Sequence, residues 1–377
     1  MAFGPSVIRN VANYLSYFDF QSAESSRPHH RHANSGAQNP WQSNCIVDPA
    51  HMQKPFHTIL VCVLWVGCSF AETPALHVLP WNQHSAAVSL TFDDARPVHL
   101  DVVVPELNKR HLHATFFLIV SKLTRIDDWR RAQADGHEIG NHSVSHEHPA
   151  DLTAATEELQ VEDAKLFLDS NFRTNIITFA YPYTELSPGL VFWVKKYDFA
   201  ARGWHGDSDQ PYITADGTFD WYNLPSQPAY TAYDAAVYKD WVDKAMALHA
   251  WTTLQIHGIG DPSTGFEPIP TATFLSLLDY LKAQESNGLW VAPFGEVAAY
   301  LRAEKILEAT KPQRQNGEEN FVWEVPAPFP SGVMLEATIT GGAHLKVYQG
   351  KRELHPTKDG IYTISFDSGE LLVRGVE

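Results

Sequence analysis

Residues 87–94 read AVSLTFDD, a short apolar run that ends in two aspartates, Asp93 and Asp94. A run of this length and composition predicts a buried strand. Further along, residues 142–146 read HSVSH and supply two imidazoles, His142 and His146. Two carboxylates and two imidazoles are enough to hold one divalent metal ion and leave one carboxylate free. The two stretches together predict a metal-dependent hydrolase.

The spacing within each stretch refines this prediction. Neighbouring residues of a strand point to opposite faces, so Asp93 and Asp94 are expected to differ in role, one at the metal and one at the substrate. His142 and His146 are four residues apart, so one helical turn would present both rings to the same ion. The alternatives are a polar turn at the aspartates and surface histidines in a polar loop.

Composition and charge limit the class of protein. The chain has 377 residues, of which 44% are hydrophobic, and a formal net charge of -16. This acidity, with no basic stripe, argues against nucleic acid as a partner. All three cysteines (Cys45, Cys62 and Cys68) precede residue 69, so the rest of the chain has no thiol for a disulfide, a nucleophile or a zinc ligand. Any metal there must be bound by histidine and carboxylate.

Residues 52–71 are predicted to be a signal peptide. Lys54 gives a positive start, residues 58–67 (TILVCVLWVG) an apolar segment, and Ser69-Phe70-Ala71 a cleavage site. The apolar segment is too short for a permanent membrane span, and a buried core helix or strand is the alternative. Lipidation of Cys68 is a second processing alternative. We expect a secreted or periplasmic protein, with residues 1–51 a disordered leader or start-site artefact before Met52.

The segment 78–308 alternates short apolar strands with helices, which predicts a mostly parallel sheet in an α/β fold. Strands are expected at 87–92, 114–120, 137–141, 176–180, 199–202, 254–256 and 289–292. Helices are expected at 98–110, 126–134, 153–171, 188–196, 233–248 and 271–284. The polar residues follow the strands, as in the loops at the carboxyl end of a barrel, which favours a barrel over an open sheet.

The pattern changes after residue 308. Residues 309–319, with the stretch KPQRQNG, are expected to be a linker. Short strands separated by glycine-containing turns are expected at 333–339, 345–349, 361–366 and 371–373. Residues 320–377 are therefore predicted to form a small antiparallel all-β domain.

Four motifs in order resemble those of the polysaccharide deacetylases, the nodulation-protein-B homology domain of carbohydrate esterase family 4. They are TFDD (91–94), HSVSH (142–146), FAYPY (179–183) and LQIH (254–257), and the resemblance covers roughly residues 80–305. It implies a distorted (β/α) barrel and removal of acetyl groups from amino sugars or xylan. An acetylated glycan is the partner that it implies, and no oligomeric state is predicted.

The resemblance also implies roles for single residues. Asp94, His142 and His146 would bind the divalent cation, usually zinc. Asp93 would be the general base and His257 the general acid. The backbone N–H of Tyr183 would hold the oxyanion. Leu254 and Ile256 would flank the pocket for the acetyl methyl group.

Two positions depart from the family pattern. The third motif usually begins with an arginine that pairs with the catalytic aspartate, and Ala180 stands in its place. Without a cation the pKa of Asp93 would rise, and Arg202 or Arg96 is expected to substitute. The motif that supports the acid histidine is matched by Trp204 with Asp207 or Asp209. Sugar-stacking or core packing would each explain the aromatic residues nearby (Tyr181, Tyr183, Trp204, Tyr212, Trp221 and Tyr222).

Two alternatives to an N-deacetylase stay open. The same residues would serve an O-acetyl esterase or a hydrolase of another C–N bond, which the change at Ala180 makes more plausible. An inactive barrel that binds glycan is the alternative of a different class. The presence of Asp93, Asp94, His142, His146 and His257 together argues against it, because a site without catalysis needs no such set.

Overall fold

The central strand of the fold is β2 (Ala86–Asp93), and every residue of it is buried. A computed structural model describes residues 73–203, 211–341 and 345–375. All of these residues belong to one compact unit. The strand carries the AVSLTFD sequence, whose side chains are small or apolar on both faces, as expected of a strand covered on both sides.

In the part of the chain that the structure describes, β2 belongs to a nine-stranded sheet. Its other strands are β3 (Thr115–Leu118), β4 (Glu138–Asn141), β5 (Thr178–Ala180), β6 (Ala200–Arg202), β7 (Tyr212–Thr214), β8 (Gln227–Pro228), β9 (Ala250–Ile256) and β10 (Leu289–Val291). The order is β6-β5-β4-β3-β2-β9-β7, with β10 beside β2 and β8 beside β9. All pairs are parallel except β7 with β9. In the described residues no ladder joins β6 to β7, so the barrel is distorted.

Within the described residues, seven α-helices connect or follow these strands. They are α1 (Val104–Arg110), α2 (Ile126–Ala134), α3 (Ala154–Phe172), α4 (Pro188–Tyr197), α5 (Ala235–Ala247), α6 (Thr271–Glu285) and α7 (Phe294–Ala309). Side chains cap several amino ends: Thr153 accepts from Thr156 before α3, and Ser187 accepts from Leu190 before α4. A π-helical turn, His99–Val103, leads into α1. The strand–helix alternation predicted from the sequence is confirmed, with α7 as an additional helix.

Two antiparallel sheets complete the fold of the described ranges. Their strands are β1 (Ala75–Val78), β11 (Gln313–Gln315), β12 (Glu318–Val322), β13 (Met334–Thr340), β14 (Leu345–Gln349), β15 (Arg352–Leu354), β16 (Ile361–Ser365) and β17 (Glu370–Gly375). One sheet has the order β1-β13-β16 and the other β11-β12-β17-β14-β15. The predicted all-β region after the barrel is therefore present. The three-stranded sheet of this region also includes β1, a strand that precedes the barrel in the sequence.

The segment predicted as a linker is different in the structure. It contains the end of α7 and the β11–β12 hairpin, in which Gln315 pairs with Glu318. The turn is Asn316-Gly317, with φ of 54° and 84°, and an Asn-Gly pair with both φ positive is a hairpin turn. One hydrophobic cluster also runs from Phe117 and Phe294 of the barrel to Leu335 of the β region.

Several predictions fall on residues outside the described ranges. These are the leader and signal peptide (1–71), the lipidation alternative at Cys68, and the three candidates Trp204, Asp207 and Asp209. Within the described ranges, none of the helices combines the length and apolar character that a membrane crossing requires.

Candidate active site

The predicted polar residues meet at the carboxyl end of the parallel sheet. Asp93 is the last residue of β2, His142 follows β4, and His257 follows β9. Asp94 has a φ of 81°, so the chain turns sharply where the strand ends. This turn removes the constraint of strand alternation, and both aspartates line the same cavity of about 500 Å³.

Asp94 and the two histidines of the second motif form a cluster with metal-ligand geometry. Asp94 Oδ1 lies 3.8 Å from His142 Nε2 and 3.7 Å from His146 Nε2. One ligand atom from each of the three lies within 4.8 Å of the other two. Hydrogen bonding of His142 Nδ1 to the Ala180 carbonyl oxygen (2.8 Å) makes Nδ1 the protonated nitrogen and leaves Nε2 free to bind a cation.

The donor set fits a divalent cation. Asp94 Oδ1 is buried and has no hydrogen-bond partner among the described residues. A buried carboxylate oxygen without a partner is costly unless something outside the chain occupies its lone pair. One carboxylate and two imidazoles, with room for further ligands in the cavity, are a common catalytic zinc set. Arg96 holds the other oxygen, Asp94 Oδ2, through Nη2 at 2.7 Å and Nε at 3.2 Å.

The loop that carries the two histidines is not the predicted helical turn. Positive φ values at Ser143 (68°) and His146 (64°) fold residues 142–146 into a loop. Gln160 of α3 accepts hydrogen bonds from the backbone N–H groups of Val144 and Ser145 through its Oε1. The hydrogen bonds from Gln160 therefore hold the loop in the conformation that brings both imidazoles to Asp94. No helical turn is needed to place them on the same side.

Asp93 is fully buried and paired with a cation. Its Oδ2 accepts hydrogen bonds from Arg202 Nη2 at 2.6 Å and from Gln255 Nε2 at 3.1 Å. Burial raises the pKa of Asp93, but the charge of Arg202, with His142 and His257 nearby, lowers that pKa by more. Asp93 is therefore ionised, and the rise in pKa expected for a site without a cation does not occur.

The position of Arg202 explains why Ala180 is tolerated. Ala180 of β5 and Arg202 of β6 are direct neighbours in the parallel ladder. The arginine that contacts Asp93 therefore lies one strand away from the position expected from the third motif. Its other terminal nitrogen, Nη1, donates to Thr91 Oγ1 at 2.7 Å, and its guanidinium lies 5.0 Å from the centre of the Phe117 ring. Of the two predicted substitutes, Arg202 contacts Asp93, whereas Arg96 contacts Asp94.

His257 lies beside Asp93. Its Nε2 is 3.6 Å from Asp93 Oδ2. Burial lowers the pKa of His257, partly opposed by the charges of Asp93 and Asp94. Its Nδ1 is buried and has no partner in the part of the chain that the structure describes. The neutral ring is therefore favoured in the resting protein.

The third motif, FAYPY, contributes Tyr183 to the cavity, whereas Leu254 and Ile256 of the fourth motif, LQIH, lie elsewhere. Tyr183 lies in a 3-10 turn with a φ of 55° and lines the cavity, with its ring stacked 3.5 Å from that of His148. Leu254 and Ile256 belong to the hydrophobic core and do not line the cavity, so the prediction that they flank an acetyl pocket is wrong. Side chains alternate along β9, so Gln255, between them, faces the site.

Several cavity residues were not predicted from the sequence. Of the predicted aromatic residues, Tyr181 and Tyr183 line the cavity, and Tyr212, Trp221 and Tyr222 do not. The lining residues that were not predicted are Lys122, Thr184, Pro228, Tyr230, Gln255 and Phe266. Gln255 follows from strand alternation once the strand face is known. Phe266 comes from the loop after β9, where no periodicity marks it.

Residues 82–201 match the family model for polysaccharide deacetylases. The chain contains a domain of the polysaccharide deacetylase family. Curated relatives of the chain include a gellan lyase of Bacillus sp, 27% identical over 58% of this chain and 9% of the relative. Another is the peptidoglycan-N-acetylglucosamine deacetylase of Bacillus cereus, 27% identical over 40% of this chain and 56% of the relative. The chain thus spans only part of the length of these relatives.

The fold of the deacetylase domain also has a solved counterpart. A provisionally assigned polysaccharide deacetylase from Mycobacterium smegmatis superposes with a TM-score of 0.50 at 18% identity. The match covers 65% of this chain and 99% of the other. This likeness concerns the fold, which is the distorted barrel described above with antiparallel sheets added.

Proposed function

We propose that this protein removes acetyl groups from an N-acetylated polysaccharide or oligosaccharide, with a divalent cation, zinc, held by Asp94, His142 and His146. The observation that supports this most strongly is the ionised, buried carboxylate of Asp93 beside those ligand atoms in one cavity. When bound, such a cation lowers the pKa of a coordinated water and polarises a carbonyl oxygen. The remaining steps belong to the side chains.

Asp93 is the base in this proposal. Arg202 and Gln255 hold its Oδ2, while its buried Oδ1 has no partner among the described residues and is free to accept a proton from water. The low pKa of Asp93 keeps it ionised at neutral pH but also makes it a weak base. It therefore passes the proton on rather than keeping it.

His257 is the acid and gains that proton through a water molecule of the cavity. Its Nε2 lies 3.6 Å from Oδ2, the other oxygen of Asp93, and an imidazole is the stronger base of the two. The neutral ring of the resting protein becomes charged as water attacks the acetamide carbon. His257 then donates the proton to the departing amine, as the carbon–nitrogen bond breaks and acetate forms. The backbone N–H of Tyr183 stabilises the negative carbonyl oxygen.

The substrate class rests on the relatives. The Bacillus cereus relative is a deacetylase of N-acetylglucosamine in peptidoglycan by its name. We assign an N-acetylated glycan to this chain on that likeness. Export through the predicted signal peptide is part of the same proposal and would bring the enzyme to glycans outside the cell. An O-acetyl ester is the second candidate substrate. The reason for considering it was the absence of an arginine at position 180, but Arg202 provides the cation that contacts Asp93.

Acetate release tests this proposal. The zinc-loaded protein is incubated with chitin oligosaccharides, peptidoglycan fragments and acetylated xylan, beside Asp93→Asn and the exposed control Asp151→Asn. We expect release from an N-acetylated substrate, a loss of about a thousandfold in Asp93→Asn, and no change in the control. Release from acetylated xylan alone would favour the esterase, and no release from any substrate would refute the proposed function.

Zinc binding is measured separately by calorimetry on metal-stripped protein. Asp94→Asn is expected to weaken zinc binding by at least about a hundredfold, because a neutral amide replaces the only anionic ligand. Asp151→Asn is again the control. Equal zinc affinity in Asp94→Asn and the unaltered protein would contradict the ligand assignment.

A further inference from the structure

One aromatic side chain at the mouth of the cavity is left open to solvent. Phe266 is 59% exposed and lines the cavity together with the catalytic and metal-site candidates. Its ring centre lies 5.4 Å from that of His257, and the two ring planes are nearly perpendicular, at 81°. In this arrangement His257 covers at most one face of the phenylalanine ring. The exposed ring is thus next to the proposed acid.

The loop that carries Phe266 is tightly built. It connects β9 to α6, and its two ends are joined by backbone hydrogen bonds from Gly260 N to Ile269 O (2.8 Å) and from Ile269 N to Gly258 O (3.1 Å). Ile259 and Ile269 anchor it in the hydrophobic core. The position of the loop over the site is therefore fixed by packing at its base.

The residues on both sides of Phe266 are also held. A Cβ atom on Gly258 would lie 2.9 Å from the backbone nitrogen of Gly265, so the two strands of the loop touch and only glycine fits. Glu267 has a φ of 41°, and its carboxylate accepts a hydrogen bond from Thr231 N at 2.9 Å. The backbone thus holds Phe266 at the tip of the loop, although the ring itself finds no burial there.

The ring of the other exposed aromatic residue of the cavity, Tyr183, already packs against two histidine rings. Tyr183 is 49% exposed, but one face of its ring stacks on His148 and its ring centre lies 4.4 Å from that of His146. Phe266 has no such stacked partner among the described residues. A ring with a free face, on a loop held beside the proposed acid, is suited to an apolar, flat surface of the substrate.

We propose that Phe266 is a stacking platform for the sugar ring that carries the acetyl group. One face of a pyranose ring presents C–H groups, which pack on an aromatic face and exclude water from it. Because Phe266 contacts His257, the stacked sugar would keep its acetamide nitrogen near the proposed acid. This inference rests on the proposed function and adds the surface that orients the glycan. Phe266 is thus a positioning residue.

The test compares a glycan with an acetyl ester that has no sugar. Values of kcat and KM are measured for an N-acetylglucosamine tetramer and for 4-nitrophenyl acetate, with Phe266→Ala, Phe266→Trp and Phe192→Ala. Phe192 is 60% exposed but does not line the cavity, so it is the matched control. Phe266→Ala is expected to lower kcat/KM for the tetramer about tenfold more than for the ester, mainly through KM. Phe266→Trp should keep most of the activity, and Phe192→Ala should change neither substrate.

If Phe266→Ala lowers kcat/KM equally for both substrates, or for neither, the proposal that Phe266 is a stacking platform is overturned. A binding measurement tests the stacking platform independently of whether the protein releases acetate. In the Asp93→Asn background, calorimetry gives the dissociation constant of the tetramer with and without Phe266→Ala. About tenfold weaker binding without the ring supports the platform even if the protein releases no acetate. Equal affinities, or no binding to either protein, would refute it.

Discussion

The two ends of the parallel sheet each hold a carboxylate, fully buried at the carboxyl end and half-buried at the amino end, and their surroundings differ. At the carboxyl end, Asp93 is paired with Arg202 and has an oxygen without a partner among the described residues. At the amino end, Glu138 begins β4 and accepts hydrogen bonds from Thr115, Thr178 and the backbone of Gly295. Burial raises the pKa of Glu138, partly opposed by these neutral donors.

This difference separates a structural carboxylate from a reactive one. Glu138 joins β3, β5 and the first turn of α7, where the helix dipole favours a negative charge. A Cβ on Gly295 would lie 2.3 Å from Glu138 Oε1, so a larger residue there would displace the Glu138 side chain. All its oxygens are used within the fold. Asp93, by contrast, keeps an oxygen for something outside the chain.

Removing Arg202 is expected to have the largest effect on stability. Arg202→Met should lower the free energy of unfolding by about 3–5 kcal/mol, because it leaves the buried charge of Asp93 without its cation. The pKa of Asp93 should rise, and the acid limb of the activity profile should move to higher pH. Urea unfolding and pH–rate profiles measure the two effects.

The double variant Arg202→Met/Asp93→Asn is the control for this interpretation. Without the charge at Asp93 no buried ion is left unpaired, so much of the lost stability should return. If the double variant is as unstable as the sum of the two single ones, packing of the guanidinium rather than its charge is what matters.

Acid should destabilise the protein through a histidine at the amino end. Burial lowers the pKa of His137 to about 4, with the nearby His113 adding to the effect. Its Nδ1 accepts from Ala114 N at 3.2 Å, and protonation would remove that acceptor. The unfolded chain binds this proton near pH 6.5, so stability is complete above that pH and falls as the pH decreases toward 4.

The loss attributable to His137 between pH 7 and pH 4.5 should be about 2 kcal/mol. Urea unfolding at the two pH values measures it in the unaltered protein and in His137→Asn. The variant should lose less stability on acidification. The exposed control His355→Asn should behave like the unaltered protein, and identical pH dependence in all three would exclude His137 as the cause.

The smallest effect is expected for Glu138→Gln. The amide oxygen can accept from Thr115 and Gly295, and the amide nitrogen can donate to Thr178 once that hydroxyl reverses. Stability should therefore change by less than about 1 kcal/mol, and acetate release should not change. If Glu138→Gln lowered the free energy of unfolding as much as Arg202→Met, the distinction between a structural and a reactive carboxylate would be wrong.

The predictable part of the molecule consists of features that are local in the sequence. The TFDD and HSVSH motifs are contiguous, and strand periodicity places Asp93, His142 and His257 at the same edge of the sheet. Features that depend on distant partners were not predicted. The pairing of β1 with β13 joins segments far apart in the chain, and no local pattern indicates it. Phe266 was missed for the same reason, because its role arises only where its loop folds over His257.

The neighbouring positions of Ala180 and Arg202 have a consequence for how such sites diverge. Because the two positions are opposite each other on adjacent strands, an arginine gained on one strand can serve the aspartate before the arginine on the other is lost. The two arrangements of the arginine can then interconvert without a stage that lacks the ion pair. A relative without arginine in its third motif should therefore be judged inactive only after the facing position on the next strand has been inspected.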